Sequence, residues 1–215
     1  MSKIPKEYTI LGIIAVIVIA LVILLFKYGS GVTSNAPLIN RTDAYVRGPQ
    51  TAKITLVEFG DFQCPACSAA QPTISRLMSE YAPNIRLVFR HFPLSIHPLA
   101  EVAAEAAEAA GAQGKFWEMY DALYAHQSEW GDVIKNISEA QAIQFFSTYA
   151  AQIGLDTKKF AADMQTNPYR SNITTDLDDG NKSGVNATPT FFVNGTISPD
   201  PSYSTLKGLI DQVNK

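Results

Sequence analysis

Cys64 and Cys67 are the only cysteines in the 215 residues, and just Pro65 and Ala66 separate them. Three chemistries use this spacing: a structural disulfide, half of a zinc site, or a redox pair. A disulfide across so small a loop would restrain the unfolded chain by about 2 kcal/mol, and strain would subtract from that. A structural zinc ion needs four ligands, so the pair would have to recruit His91, His97 or His126. Those histidines form no second pair at ligand spacing, because His91 and His97 are separated by five residues including Pro93. A redox pair asks only that one thiol ionise readily and the other be able to attack it.

The flanking sequence supplies such a setting. KITLVEF, residues 53–59, is β-branched and apolar enough for a buried strand, and it runs straight toward the cysteines. SAAQPTISRLMSEYA continues with helical spacing, so Cys64 is predicted at a strand-to-helix turn, with Pro65 in the first helical turn and a kink at Pro72. Unpaired backbone N–H groups and the positive end of the helix dipole favour thiolate at that position. Cys64 is therefore the expected nucleophile, and Cys67, one turn further in, the resolving thiol. Glu58 stands six residues before Cys64 between Val57 and Phe59. A carboxyl in that company has a raised pKa and suits general acid–base work near neutral pH. The other reading of Glu58 is a solvent-facing residue on an edge strand. Asp61, in the turn, is the weaker candidate for proton transfer.

Further along, NIRLVFRHFPL predicts a second buried strand, and residues 97–181 read as helical. Ser138 with Gln141 makes a capping box and Gly154 a helix stop. Strand character returns at TPTFFVNGTIS, where Asn194-Gly195 signals a hairpin, and YSTLKGLIDQVN closes the chain as an amphipathic helix. Buried strands joined through helices favour a small mixed sheet covered on both faces, an α/β architecture. Phe116, Trp117, Tyr120 and Tyr124 lie at helical spacing and are most simply core, with a groove beside Cys64 as an alternative. His91 and His97 read as packing or surface residues, with proton transfer as the alternative. Thr188-Pro189-Thr190 interrupts a strand, and an X–Pro bond is the one peptide bond that is readily cis.

A net charge of −3 with scattered charges excludes the clustered basic surface that nucleic acid requires. EVAAEAAEAA, from Glu101, places three carboxylates on an alanine-rich helix, expected to be solvated. From Tyr8 to Phe26 there is no charge over 19 residues, nearly enough as a helix for the ~30 Å bilayer core. Lys3 and Lys6 precede it, which predicts a cytoplasmic N-terminus and a lipid-embedded signal anchor over residues 8–26. A cleaved signal ending at Ser34-Asn35-Ala36 is the rival, although its apolar core would exceed the ~7–15 residues usual for one. Residues 1–28 are thus read as tip and anchor, 29–51 as a tether rich in Gly, Ser and Asn, and 52–215 as the folded domain.

Three segments together, AKITLVEFGDFQCPAC, FRHFPLSIHPLAEVAAEAAEAAGAQGKFWEMYDALY and GVNATPTFFVNG, resemble the DsbA-like thiol-disulfide oxidoreductases of the thioredoxin superfamily. The resemblance implies a thioredoxin-like α/β fold with a helical domain inserted at about residues 97–181. It implies Cys64 and Cys67 as the redox pair, Glu58 as the buried proton-transfer group and Pro189 as the cis proline facing the pair, a placement that argues against a metal. Thr188, Pro65 and Ala66 are then expected to meet the substrate, with Ala66 standing where the family often has an aromatic residue or histidine. No cofactor is implied. The expected partners are extracytoplasmic proteins with cysteine thiols and a membrane redox partner of the DsbB or vitamin K epoxide reductase-like type, met by a monomer whose catalytic domain lies outside the cytoplasm. The expected reaction is oxidation of protein dithiols, with reduction, isomerisation or a redox-inactive tethered domain as alternatives.

Overall fold

The computed structural model describes residues 18–20, 41 and 44–214. The expected anchor over residues 8–26 therefore lies almost wholly outside the described residues, and among these no helix is long and apolar enough to cross a membrane. Of two compact units, Met1–Ser34 and Asn35–Lys215, the second holds the sheet.

That sheet has five strands: β1 (Tyr45–Arg47), β2 (Ile54–Gly60), β3 (Ile85–His91), β4 (Thr190–Val193) and β5 (Thr196–Ile197), in the spatial order β1-β3-β2-β4-β5. β2 and β3 run parallel, and the other neighbours pair antiparallel. The crossover between the parallel strands is helix α1 (Pro65–Glu80), which carries Pro at its start and runs on through Pro72 as one helix. The insertion comprises α2 (Ala100–Gly111), α3 (Phe116–Ala125), the short α4 (Gln127–Trp130), α5 (Glu139–Gln152), α6 (Thr157–Thr166) and α7 (Arg170–Lys182). α8 (Tyr203–Val213) ends the fold. The capping box of Ser138 and Gln141 forms at the start of α5, and Gly154 follows that helix at φ +79°.

Alternation along β2 divides the core. Ile54 and Leu56 join Ile74 and Leu77 of α1 and Leu206 and Ile210 of α8, whereas Val57 and Phe59 face Phe92, Val185 and Phe192 on the other side. Glu58 shares the first face by the same two-residue period. It sits on the central strand, with Phe89 of β3 and Phe191 of β4 as its register partners, which removes the edge-strand reading.

Two sequence expectations are corrected. Residues 45–47, read as tether, form β1 against β3, and Tyr45 stacks on Phe116 with ring centroids 3.7 Å apart. Arg47 lies over the Trp117 ring at 4.5 Å and pairs with Asp121 at 2.7 Å, so the domain begins before Ala52. A three-residue edge strand is too short to leave a period in the sequence. The carboxylates of α2 are not all solvated either. Glu108 is buried and accepts from Asn172 Nδ2 at 2.7 Å, and it lies 3.0 Å from His91 Nε2.

The insertion is tied to the sheet by charge. Arg90 of β3 is fully buried, with Nε 2.5 Å from Asp176 and Nη2 2.7 Å from Asp179, both on α7. The His91 backbone N–H adds a bond of 2.9 Å to Asp176. Removing one partner of such a cluster leaves charge buried and uncompensated. Arg90→Ala should therefore lower the unfolding free energy by about 3–5 kcal/mol, read from the urea transition, and a loss near the ~0–1 kcal/mol of surface pairs would show the cluster to be solvated.

Candidate active site

Cys64 is the N-cap of α1, in extended backbone conformation, and the N–H groups of Cys67 and Ser68 bond to its carbonyl at 3.1 and 3.3 Å. It keeps 6% of its surface, Cys67 keeps none, and both are free thiols. Pro65 and Ala66 between them are exposed, as a contact surface requires. The Thr188–Pro189 peptide is cis, and the Thr188 carbonyl lies 3.4 Å from Cys64 Sγ. The structure thus brings Cys64, Cys67, Pro65, Ala66, Thr188 and Pro189 to one place.

The two thiols are driven apart electrostatically. The Cys64 pKa falls to about 5, first because the Cys67 thiol hydrogen-bonds to its sulfur; burial opposes this, and the backbone N–H groups of Cys67 and Ala66 assist. Cys67 is pushed far up, by burial first and then by Cys64. Its sulfur accepts one bond, from the Asp61 N–H at 3.5 Å. Near neutral pH the pair is a thiolate at Cys64 and a thiol at Cys67.

Glu58 is fully buried, and burial raises its pKa to about 8 against the opposing bond from Tyr120, whose hydroxyl lies 2.7 Å from Oε2. The Oε1 atom is buried with no hydrogen-bond partner among the described residues. Glu58 is close enough to Cys67 for the two charges to oppose each other. It is therefore an acid that can trade a proton with the resolving thiol near neutral pH.

Several residues here escaped the sequence reading. Tyr120 supplies a polar tip, which also lies 3.0 Å from Gln71 Oε1, although its ring packs in the core as expected. Gln127 of α4 donates to the Phe62 and Cys64 carbonyls at 2.7 and 3.0 Å, bracing the turn from the insertion. Asp61, ranked below Glu58 for its place in the turn, is a buried keystone that accepts from Gln63 N at 2.7 Å and Leu94 N at 2.9 Å and holds His97 Nδ1 at 2.6 Å. Asp61-x-Gln63 is a side-chain-capped turn, the signal that could have found it. Beside Pro65 opens a cavity of about 630 Å³, with Ser68, His97, Tyr124 and Gln127 in its wall and the exposed Ile96 and Ile134 contributing apolar surface.

A family model described as thioredoxin matches residues 40–212. The chain belongs to the thioredoxin family. It is 30% identical to a thioredoxin-like oxidoreductase from Silicibacter pomeroyi, with a TM-score of 0.67 over 82% of this chain and 95% of that one. BdbD from Bacillus subtilis shares the fold at 19% identity, TM-score 0.66, over 80% of this chain and 94% of that one. This is the DsbA-like form of the fold, with its helical insertion, and thiol–disulfide exchange is the chemistry that fold and cysteine pair support. Curated relatives are of another length. A Na(+)/H(+) antiporter NhaA 1 of Salinispora arenicola is 45% identical over 152 residues, 70% of this chain but 22% of that protein. One from Mycolicibacterium vanbaalenii is 40% identical over 156 residues, 23% of its length. The chain spans less than a quarter of either.

The Glu58 titration has a sign that can be checked. Its folded pKa lies above the unfolded 4.5, so its contribution to stability is full below 4.5 and is lost as pH rises through about 8. Between pH 4 and 7 the stability difference between wild type and Glu58→Gln, both reduced, should shift by about 3 kcal/mol in favour of Gln. Parallel stability–pH curves from denaturant unfolding would contradict a raised pKa at Glu58.

Proposed function

We propose that this domain oxidises dithiols of extracytoplasmic proteins to disulfides. In the oxidised state a substrate thiolate attacks Cys64 of the Cys64–Cys67 disulfide; Cys67 leaves and takes a proton from Glu58, and a mixed disulfide joins Cys64 to the substrate. The second substrate thiolate then attacks the substrate sulfur of that bond and Cys64 leaves as thiolate. The substrate has lost two electrons, which the dithiol passes to a membrane partner of the DsbB or vitamin K epoxide reductase-like type. Pro65, Ala66 and the Thr188-Pro189 backbone form the contact surface, and residues 8–26 hold the domain at the membrane.

The observation that carries this reading is the place of Cys64, at the N-cap of α1 with the cis Thr188–Pro189 peptide against its sulfur, where its thiol pKa is depressed. A stabilised thiolate stabilises the reduced form and makes the disulfide the better oxidant. A pKa near 5, against about 7 for thioredoxin, is worth about 50 mV at neutral pH and puts the pair above thioredoxin at ~ −270 mV on the way to DsbA at ~ −120 mV.

A second reading comes from the NhaA relatives, in which the part resembling this chain is a small share of a longer protein. On that reading the domain is an interaction module serving a membrane transport protein, and its cellular role survives Cys64→Ser; on the first it does not.

Equilibration with glutathione should return a potential between about −270 mV and about −120 mV, and a value at or below about −270 mV would favour a reductase. Topology is tested separately. A reporter fused after Lys215 should read extracytoplasmic and the mature protein should retain residues 8–26; a cytoplasmic reporter would overturn the proposed location.

A further inference from the structure

The exchange chemistry leaves one proton without a destination. Glu58 serves the leaving Cys67, but the incoming substrate thiol must also lose a proton before its sulfur can attack, and a free cysteine thiol has a pKa near ~8.5. The base for that step has to face the substrate, and Glu58, fully buried, does not.

His97 has the placement. It lies in the wall of the cavity that opens beside Pro65, next to the nucleophile. Its Nδ1 is 2.6 Å from Asp61 Oδ2, and the Asp61 side chain is fully buried and bonded to two backbone N–H groups. A carboxylate so held fixes the ring orientation and, with the proton on Nδ1, leaves Nε2 as the basic nitrogen. The loop bearing His97 is pinned at three points to the turn bearing Cys64: Leu94 N and His97 Nδ1 on Asp61, and Leu99 N on Gln63 Oε1 at 2.6 Å. The imidazole is thereby tied to the turn that carries the cysteine.

We propose that His97, oriented by Asp61, is the base that ionises the substrate thiol in the cavity beside Cys64. The proposal rests on the exchange reading above. The substrate S–H proton passes to Nε2 of His97; the thiolate forms a bond to Cys64 sulfur as the Cys64–Cys67 bond breaks, and Cys67 is protonated by Glu58. No further oxidant enters, because the disulfide accepts the electron pair, and the imidazolium releases its proton to solvent. In the reverse direction the imidazolium protonates the departing substrate sulfur. The other ionisable groups around His97 are Tyr124 of α3 and Asp132 after α4 in the same cavity wall, and Glu101 of α2 across a second depression, where it pairs with Arg170 at 2.5 Å. Among the described residues none of these is hydrogen-bonded to the ring, which bonds to Asp61.

The test uses a substrate that needs no base. Full-length protein in detergent, oxidised with oxidised glutathione, is mixed with either a cysteine-containing peptide or thionitrobenzoate, an aryl thiol already ionised at neutral pH. His97→Asn keeps a donor for Asp61 and removes the base. It should slow the peptide reaction about tenfold or more and leave the thionitrobenzoate rate within about twofold of wild type. Equal slowing of both reactions would mean that His97 only positions the turn, and an unchanged peptide rate would mean that it has no part; either overturns the proposal. Failure of the wild-type protein to react with either thiol would instead overturn the exchange reading itself.

Discussion

The carboxylate of Asp61 is the constraint on which the site depends. It is buried in the turn after β2 and closes that turn through Gln63, holds the loop after β3 through Leu94 and His97, and lies on a residue whose own N–H reaches the Cys67 sulfur. A buried carboxyl group tolerates this position only when its acceptor sites are filled, and filling them ties the turn and the loop after β3 together. The placement of Cys64 at a helix start, and of the cavity beside it, follows from that closure. Gln127 completes the frame from the insertion side, so the helical domain does more than cover the sheet: it supplies donors to the backbone that carries the nucleophile.

Glu58 obeys the opposite rule. Among the described residues one of its oxygens has a single hydroxyl partner and the other none, and burial therefore decides its protonation state. A second polar partner would hold the carboxylate ionised and reduce its use as an acid near neutral pH. The fold carries an under-satisfied group in its central strand, at a cost to stability above its unfolded pKa, in the place where proton exchange with Cys67 is required.

How much of this was legible in the sequence depended on range. The strand leading into Cys64, Pro65 at the helix start, the capping box and the Asn194-Gly195 hairpin are local signals, and each formed where it was read. Burial of Glu58 was undecided in sequence because it depends on β2 lying between β3 and β4, a pairing across more than 130 residues. Glu108 was misjudged for a related reason. Alanine on every face lets α2 sit inside the insertion, and the partners of the carboxylate, His91, Tyr45 and Asn172, come from three other segments. Tyr120 was placed correctly in the core, but its hydroxyl partner could be named only once the sheet order was known.

The brevity of the outer strands bears on self-association. β1 offers three residues at one edge of the sheet and β5 two at the other. Unpaired N–H and C=O groups along a sheet edge are templates onto which a passing extended chain can add, and a short edge is one of the means by which proteins prevent it. A protein proposed to bind other chains and oxidise their dithiols is more exposed to that hazard than most. With both edges curtailed, a sticky client finds little backbone to zip onto, which favours solubility in crowded company and release after the encounter.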